Sequence, residues 1–395
     1  MAAIWYGNPS MDRQRIINLL AAISAVTVFG FTLGLMFPLL SLLMEAKGIP
    51  SDTIGYNSAM QPLGIVLSVF AIPALVQRFG ARLVVITAAM LTAFVILLYP
   101  FFPVFWWWFG LRLLQGFFVS ILFAISEAWI VKFSEGPWRS RLLAIYASVL
   151  ALSFGGGPIL ITITGINGPA PFLIGAAILV IATIPVYFVK DDAVDGADEA
   201  PLSVLGFSRK APILLFAVGM FAIIDAANLS FLPVYAVKKG FDHDAAAMAL
   251  TAFVIGNTFL QFPIGWCADH YPKRMVMTVC GVATALGSFL VPFTFGTWAL
   301  WPVLTVTGAT SAGIYTVALG ELGERFSGHE LVTGTASFST MWGIGALAGS
   351  LVAGWSIAGV GPDGLPFSMS AIFMVFVVAS AISLRSSIRS RPAGL

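Results

Sequence analysis

Gly265-Trp266-Cys267-Ala268-Asp269-His270-Tyr271-Pro272-Lys273-Arg274 is a short polar joint between two apolar runs, near residues 245–268 and 273–294. A counterpart stands 192 residues earlier, where Arg78-Phe79-Gly80-Ala81-Arg82 joins the runs near 54–76 and 82–101. Two further pairs keep this register. Lys132-Phe133-Ser134 returns as Arg325-Phe326-Ser327, and Tyr146-Ala147-Ser148, leading to Gly157-Pro158, returns as Phe338-Ser339-Thr340, leading to Gly349-Ser350. Three matches at offsets of 192 or 193 residues make the chain a tandem repeat. Parallel repeats of this kind in membranes are related by an axis along the membrane normal, with the substrate site between them near the midplane.

The joints separate stretches that suit lipid. Of 395 residues, 59% are hydrophobic and only 10% charged, whereas soluble domains carry about 25% charged residues. The mean hydropathy of +0.95 agrees. An apolar run of about 20 residues crosses a hydrocarbon core of roughly 30 Å as a helix, and a barrel would show shorter alternating segments instead. Twelve such runs lie near 16–44, 54–76, 82–101, 104–133, 139–164, 168–189, 211–237, 245–268, 273–294, 298–322, 330–357 and 364–384. The expected fold is an all-α membrane protein with twelve transmembrane helices in two pseudo-symmetric six-helix bundles. Residues 1–189 form the first bundle, 190–210 a charged solvated linker and 211–395 the second bundle. Pro38, Pro158 and Pro233 lie inside spans one, five and seven and are expected to kink them.

Charge orients the chain. With the N-terminus in the cytoplasm, sixteen of the 20 Lys and Arg fall on that side, Lys47, Lys238 and Lys239 fall outside and Arg112 lies within. The positive-inside rule therefore predicts both termini in the cytoplasm. Arg13 and Arg15 precede the first run, which is too long for a cleavable leader and reads as span one. A net charge of +2 with no basic stripe gives nucleic acid no surface. Cys267 and Cys280 offer neither a disulfide framework nor metal spacing. No nucleotide-binding loop is present, so neither ATP-driven pumping nor a cofactor is expected.

Arg112, Glu127 and Asp225 interrupt otherwise lipid-compatible spans. An ionised side chain at a bilayer centre costs about 2.5–3.5 kcal/mol on insertion scales. Such a group lines a wet cavity, pairs with another charge or carries protons. Arg112 either governs a neighbouring carboxylate or bonds carbonyls of span one or five. Glu127, about 22 Å further along span four at 1.5 Å per residue, either serves a proton or cationic substrate or pairs with Arg78, Arg82 or Lys132. Asp225 lies mid-span in helix seven, one turn from Asn228 on the same face. It either exchanges protons or is tied to Asn228. Asn228, Gln61, Gln115, Tyr146, Met341 and Trp342 are candidate cavity walls by helix position, and each could equally be packing.

These motifs resemble the major facilitator superfamily over nearly the whole chain. The signature following the family's second span, Gly-x-x-x-Asp-Arg-x-Gly-Arg-[Arg/Lys], is matched by Gly265, Asp269, Lys273 and Arg274. The first-half copy keeps Arg78, Gly80 and Arg82 but has Pro73, Gln77 and Ala81 at other positions. The resemblance implies a latch between bundles, with Asp269 facing a helix N-terminus. Arg112-Leu113-Leu114-Gln115-Gly116 is similar to the family's Arg-x-x-Gln-Gly motif, which implies proton coupling. Glu135, Pro137 and Arg139 match its acid–Pro–basic pattern. The segment from Arg112 through Glu127-Ala128-Trp129 to Tyr146 looks like the YcaD-type branch. Gly156-Gly157-Pro158 resembles the antiporter motif, though Ser153 replaces one of its glycines.

The expectation is therefore a proton-coupled secondary transporter in a bacterial-type inner membrane. It would be a monomer exporting a hydrophobic or cationic compound by proton antiport through alternating access. Symport or exchange of a metabolite such as an amino acid or carboxylate is the alternative. An intramembrane enzyme lacks a Gly-x-Ser-x-Gly or His-Glu-x-x-His motif, and His243, His270 and His329 fall at span ends or in loops. A receptor that has lost coupling stays open.

Overall fold

A computed structural model describes residues 13–102, 105–134, 139–189, 204–326 and 328–389. Helices run α1 Arg13–Ala46, α2 Ser51–Phe79, α3 Ala81–Leu98, α4 Phe105–Phe133, α5 Arg139–Thr164, α6 Ala170–Ala182, α7 Val204–Lys210, α8 Pro212–Lys238, α9 His243–Phe259, α10 Gln261–His270, α11 Lys273–Thr294, α12 Leu300–Arg325, α13 Gly328–Val360 and α14 Gly364–Arg389. Twelve segments are long and apolar enough to cross a membrane. Exposed side chains such as Phe70, Trp106, Ile163, Phe262 and Val375 make the outer wall apolar, as a lipid-facing surface requires.

Two spans are not single helices. The sixth closes in a 3-10 turn, Ile184–Phe188, led by Thr183 and Pro185. The eighth breaks at Leu260 into α9 and α10. Pro263 explains the break, since it offers no N–H to the Phe259 carbonyl and its ring crowds that oxygen. Gln261 then bridges to α12, with Nε2 donating to the Ala309 carbonyl at 3.1 Å and Oε1 accepting from Thr316 Oγ1 at 2.8 Å. Pro38, Pro158 and Pro233 lie inside α1, α5 and α8, each of which continues as one helix on both sides of its proline. Within the expected linker, Val204–Lys210 is helical and buries Phe207 against Phe326, with ring centroids 5.1 Å apart. Residues 190–203 lie outside the described residues.

The repeat is visible atom by atom. A Cβ on Gly64 or Gly116 would meet the Leu113 or Gln61 carbonyl oxygen at 2.1 or 2.0 Å, so α2 and α4 touch backbone to backbone. The matching pair in the second half, α9 and α12, does the same. A Cβ on Gly256 would meet the Thr305 oxygen at 1.8 Å, and one on Gly308 the Phe253 oxygen at 2.0 Å. All four positions and all four partners are offset by 192 residues. Without a hydrophobic driving force in lipid, this close packing holds membrane helices together. Gly116→Ala should destabilise the protein by at least about 1–3 kcal/mol through overpacking, seen as a lower unfolding temperature in detergent. Gly110→Ala, where nothing lies within 4 Å, should not.

The bundles meet along α2–α13, α5–α9 and α1–α8. An even number of spans puts residues 13 and 389 on one face, here the terminal face, with the distal face opposite. The distal face is closed. Lys238 Nζ on α8 pairs with Glu45 Oε1 on α1 at 3.1 Å. Trp355 Nε1 on α13 donates to Tyr56 Oη on α2 at 3.0 Å. Beneath them, a Cβ on Gly354 would sit 2.8 Å from Gly55 Cα.

Candidate functional site

A cavity of about 250 Å³ lies between the bundles on the terminal side of the distal closure. This is near the lower limit of about 300 Å³ usual for small-molecule clefts. Both halves build it. From α4 come Ser120, Phe123, Ala124 and Glu127, and from α5 come Ala147, Leu150, Ala151 and Phe154. Each set repeats the i, i+3, i+4, i+7 spacing of one helix face. From α8 come Phe221, Asp225 and Leu229, opposed by Asn257, Thr258, Tyr315, Ser339 and Trp342.

The walls are aromatic with two acidic points. Phe29 stacks on Phe123 at 4.5 Å and meets Phe154 edge-on at 6.0 Å. Phe221 lies 5.3 Å from Tyr315. Glu127 and Asp225 have no hydrogen-bond or ion-pair partner among the described residues. The Tyr146 and Tyr315 hydroxyls lie within electrostatic reach of Glu127. No Lys or Arg is among the described lining residues. Withdrawing a carboxylate from water makes its ionisation costly unless a cation approaches. These walls can therefore hold either a proton or an organic cation at each acid, with aromatic faces adding cation–π attraction.

Of the residues expected here, Asp225, Glu127 and Trp342 line the cavity. The others lie elsewhere. The Tyr146 hydroxyl is 2.8 Å from Ser126 Oγ behind Glu127, and Met341 packs along Gly219. Asn228 does not hold Asp225. Its Nδ2 donates to the Ile224 carbonyl at 2.9 Å, and it borders a small separate space inside the second bundle with Tyr235 and Phe253. Its side chain is short enough to reach the carbonyl one turn back on its own helix.

Arg112 is the largest departure. It bonds no carbonyl of span one or five and does not line the cavity. It is fully buried within the first bundle, where Nη1 donates to Asn57 Oδ1 at 3.2 Å and the guanidinium lies 5.1 Å from the Phe37 ring centroid. Gln115 accepts from Tyr99 Oη at 3.1 Å, and Gln61 is wholly buried with no partner. Arg112 and Gln115 share one face of α4, as Asn57 and Gln61 share one face of α2.

Asp269 is exposed and Gly265 faces open space. Lys273 pairs with Glu324, while Glu321 takes Arg325 at 3.0 Å and Arg274 at 3.6 Å, all inside the second bundle. Glu321 is thus a buried anchor. Arg78 is exposed beside Phe79, and Gly80, at φ 77°, turns the chain between α2 and α3, ahead of Arg82. Glu135 lies outside the described residues. Sequence reasoning missed Phe123, Phe154, Asn257, Thr258, Tyr315 and Ser339. Stepping back from Glu127 by helical intervals finds Phe123 and Ser120, but nothing local marks the second-half set.

A profile described as the Major Facilitator Superfamily matches residues 22–248 and 214–393. The chain belongs to that superfamily. It is 24% identical over 338 residues to the uncharacterized MFS-type transporter YfkF of Bacillus subtilis, covering 84% of this chain and 86% of the relative. An uncharacterized MFS-type transporter of Yersinia pseudotuberculosis is 22% identical over 334 residues, with the same coverage. The crystal structure of the nucleoside transporter NupG superposes with a TM-score of 0.74 at 13% identity, covering 94% of this chain and 98% of that one. At that identity the likeness concerns the fold. Superfamily membership makes the chain a multi-pass membrane protein and implies secondary transport by alternating access.

Proposed function

We propose that the protein is a proton-coupled exporter of small, aromatic-compatible organic cations, exchanging them for protons at Asp225 and Glu127. One observation carries this reading: two unpartnered carboxylates share an aromatic cavity whose described lining holds no basic side chain. A cation and a proton compete for the same acids, so loading one releases the other. The positive-inside bias supports cytoplasmic termini in an inner membrane. The terminal-side cavity then represents the cytoplasm-facing state, with the distal closure on the outside.

Asn257, Thr258 and Ser339 add neutral hydrogen-bonding groups to one wall. They favour, as a second reading, proton-linked movement of an uncharged polar metabolite. Counterflow in proteoliposomes separates the two. Tetraphenylphosphonium and ethidium should exchange and uridine should not, and faster exchange of uridine than of either cation would reverse the assignment. Glu127→Gln should lower cation affinity severalfold while the unfolding temperature stays near that of the parent, because no described residue depends on Glu127 for a hydrogen bond.

A further inference from the structure

We infer that the first bundle contains a buried site for a small monovalent anion of the halide class, held by Arg112, Asn57, Gln61 and Gln115. These four side chains are fully buried on facing stretches of α2 and α4. Among the described residues, these side chains make two hydrogen bonds, Arg112 to Asn57 and Tyr99 to Gln115. Arg112 Nε and Nη2, Asn57 Nδ2, Gln61 Nε2 and Gln115 Nε2 are left without acceptors, against a single unused acceptor, Gln61 Oε1.

The imbalance does not depend on how the amides are turned. Each amide brings one carbonyl oxygen and one NH₂ whichever way it is built. The guanidinium adds five N–H donors, no acceptor and a permanent charge. The cluster as a whole is therefore donor-rich and positive, and no carboxylate of the described residues pairs with Arg112. Water would satisfy donors but leave the charge. A small anion answers both, accepting several N–H bonds and cancelling the charge where the dielectric is low.

A cavity near the distal end of the first bundle approaches the cluster. It holds about 550 Å³ and is lined by Lys47, Trp108 and Tyr99. The Lys47 ammonium sits 4.5 Å from the Trp108 ring centroid, and Trp108 meets the Tyr99 ring edge-on at 5.9 Å. Tyr99 both borders this cavity and donates to Gln115. Tyr99 thus stands between this cavity and the donor cluster, and Lys47 gives the approach a positive potential.

The test uses the full chain purified in detergent. Its unfolding temperature is measured in chloride, bromide and gluconate at constant ionic strength, and crystals grown in bromide are examined for anomalous scattering. The expected result is a saturable rise with either halide and a bromide peak among Arg112, Gln61 and Gln115. Arg112→Met should abolish the rise. Should that variant not fold, Gln61→Leu and Gln115→Leu each remove one donor and should weaken apparent halide affinity about tenfold. Identical unfolding in gluconate and chloride, or a halide effect that survives both leucine variants with bromide bound elsewhere, would overturn the assignment.

Discussion

Asp225→Asn, reconstituted into vesicles, should lose at least about tenfold of its cation flux driven by a pH gradient, equivalent to about 1.4 kcal/mol or more. Counterflow of unlabelled against labelled cation at equal pH should persist at reduced affinity. The reason is the split between coupling and passage. Asparagine keeps the size and one carbonyl oxygen of aspartate, so the wall shared with Phe221 and Leu229 survives. What disappears is the only titratable group that α8 contributes to the cavity. Asp225 is 7% exposed and bonded to no described neighbour, so the substitution breaks no structural contact. Expression and unfolding temperature serve as controls. Gradient-driven flux equal to that of the parent would remove Asp225 from coupling.

The second large effect concerns the distal closure. Tyr56 on α2 and Trp355 on α13 face each other across the bundles with ring centroids 6.1 Å apart. Cysteines at both positions, in a Cys267→Ser, Cys280→Ser background, should be joined readily by a short bis(methanethiosulfonate) reagent, which forms a reducible disulfide with each thiol and releases methanesulfinate. Joined, they tie the bundles where rocking must part them, and flux should fall to that of empty vesicles and return on reduction. The salt bridge Glu45–Lys238 predicts a weaker version, since each partner is only partly buried. Glu45→Gln should shift the equilibrium toward distal opening without stopping transport. Full flux through the cross-linked pair would show that the distal face is not a moving gate.

The sequence disclosed the architecture better than the site. Twelve spans and their 192-residue repeat were readable because lipid leaves few alternatives to a run of apolar residues, and because the joints carry charges that packing cannot blur. The repeat reappears in the Gly64, Gly116, Gly256 and Gly308 contacts, which were not used to find it. Asp225 and Glu127 were legible for the same reason, as charges in lipid-compatible helices. Arg112 was legible as unusual but not in its surroundings. Its place on span four left open whether it governs a neighbouring carboxylate. Whether it does depends on α2, which brings Asn57 against it and encloses it in the first bundle. Asn228 failed at shorter range, because its own backbone offered a nearer acceptor than Asp225. Asn257, Thr258 and Ser339 were invisible. Small polar residues on a membrane helix carry no mark saying whether they face lipid, a neighbouring helix or a cavity. The Leu260 break is legible in Pro263, which stands inside span eight.

The exchange of proton for cation at one pair of acids can be measured without transport. Tetraphenylphosphonium is added to detergent-purified protein in weakly buffered solution near neutral pH, and proton release is followed with a pH indicator. The account predicts release in proportion to ligand bound, diminished in Asp225→Asn or Glu127→Gln and absent in the double variant. Saturable binding with no proton release at any pH between 5 and 8, or release unchanged in the double variant, would contradict it.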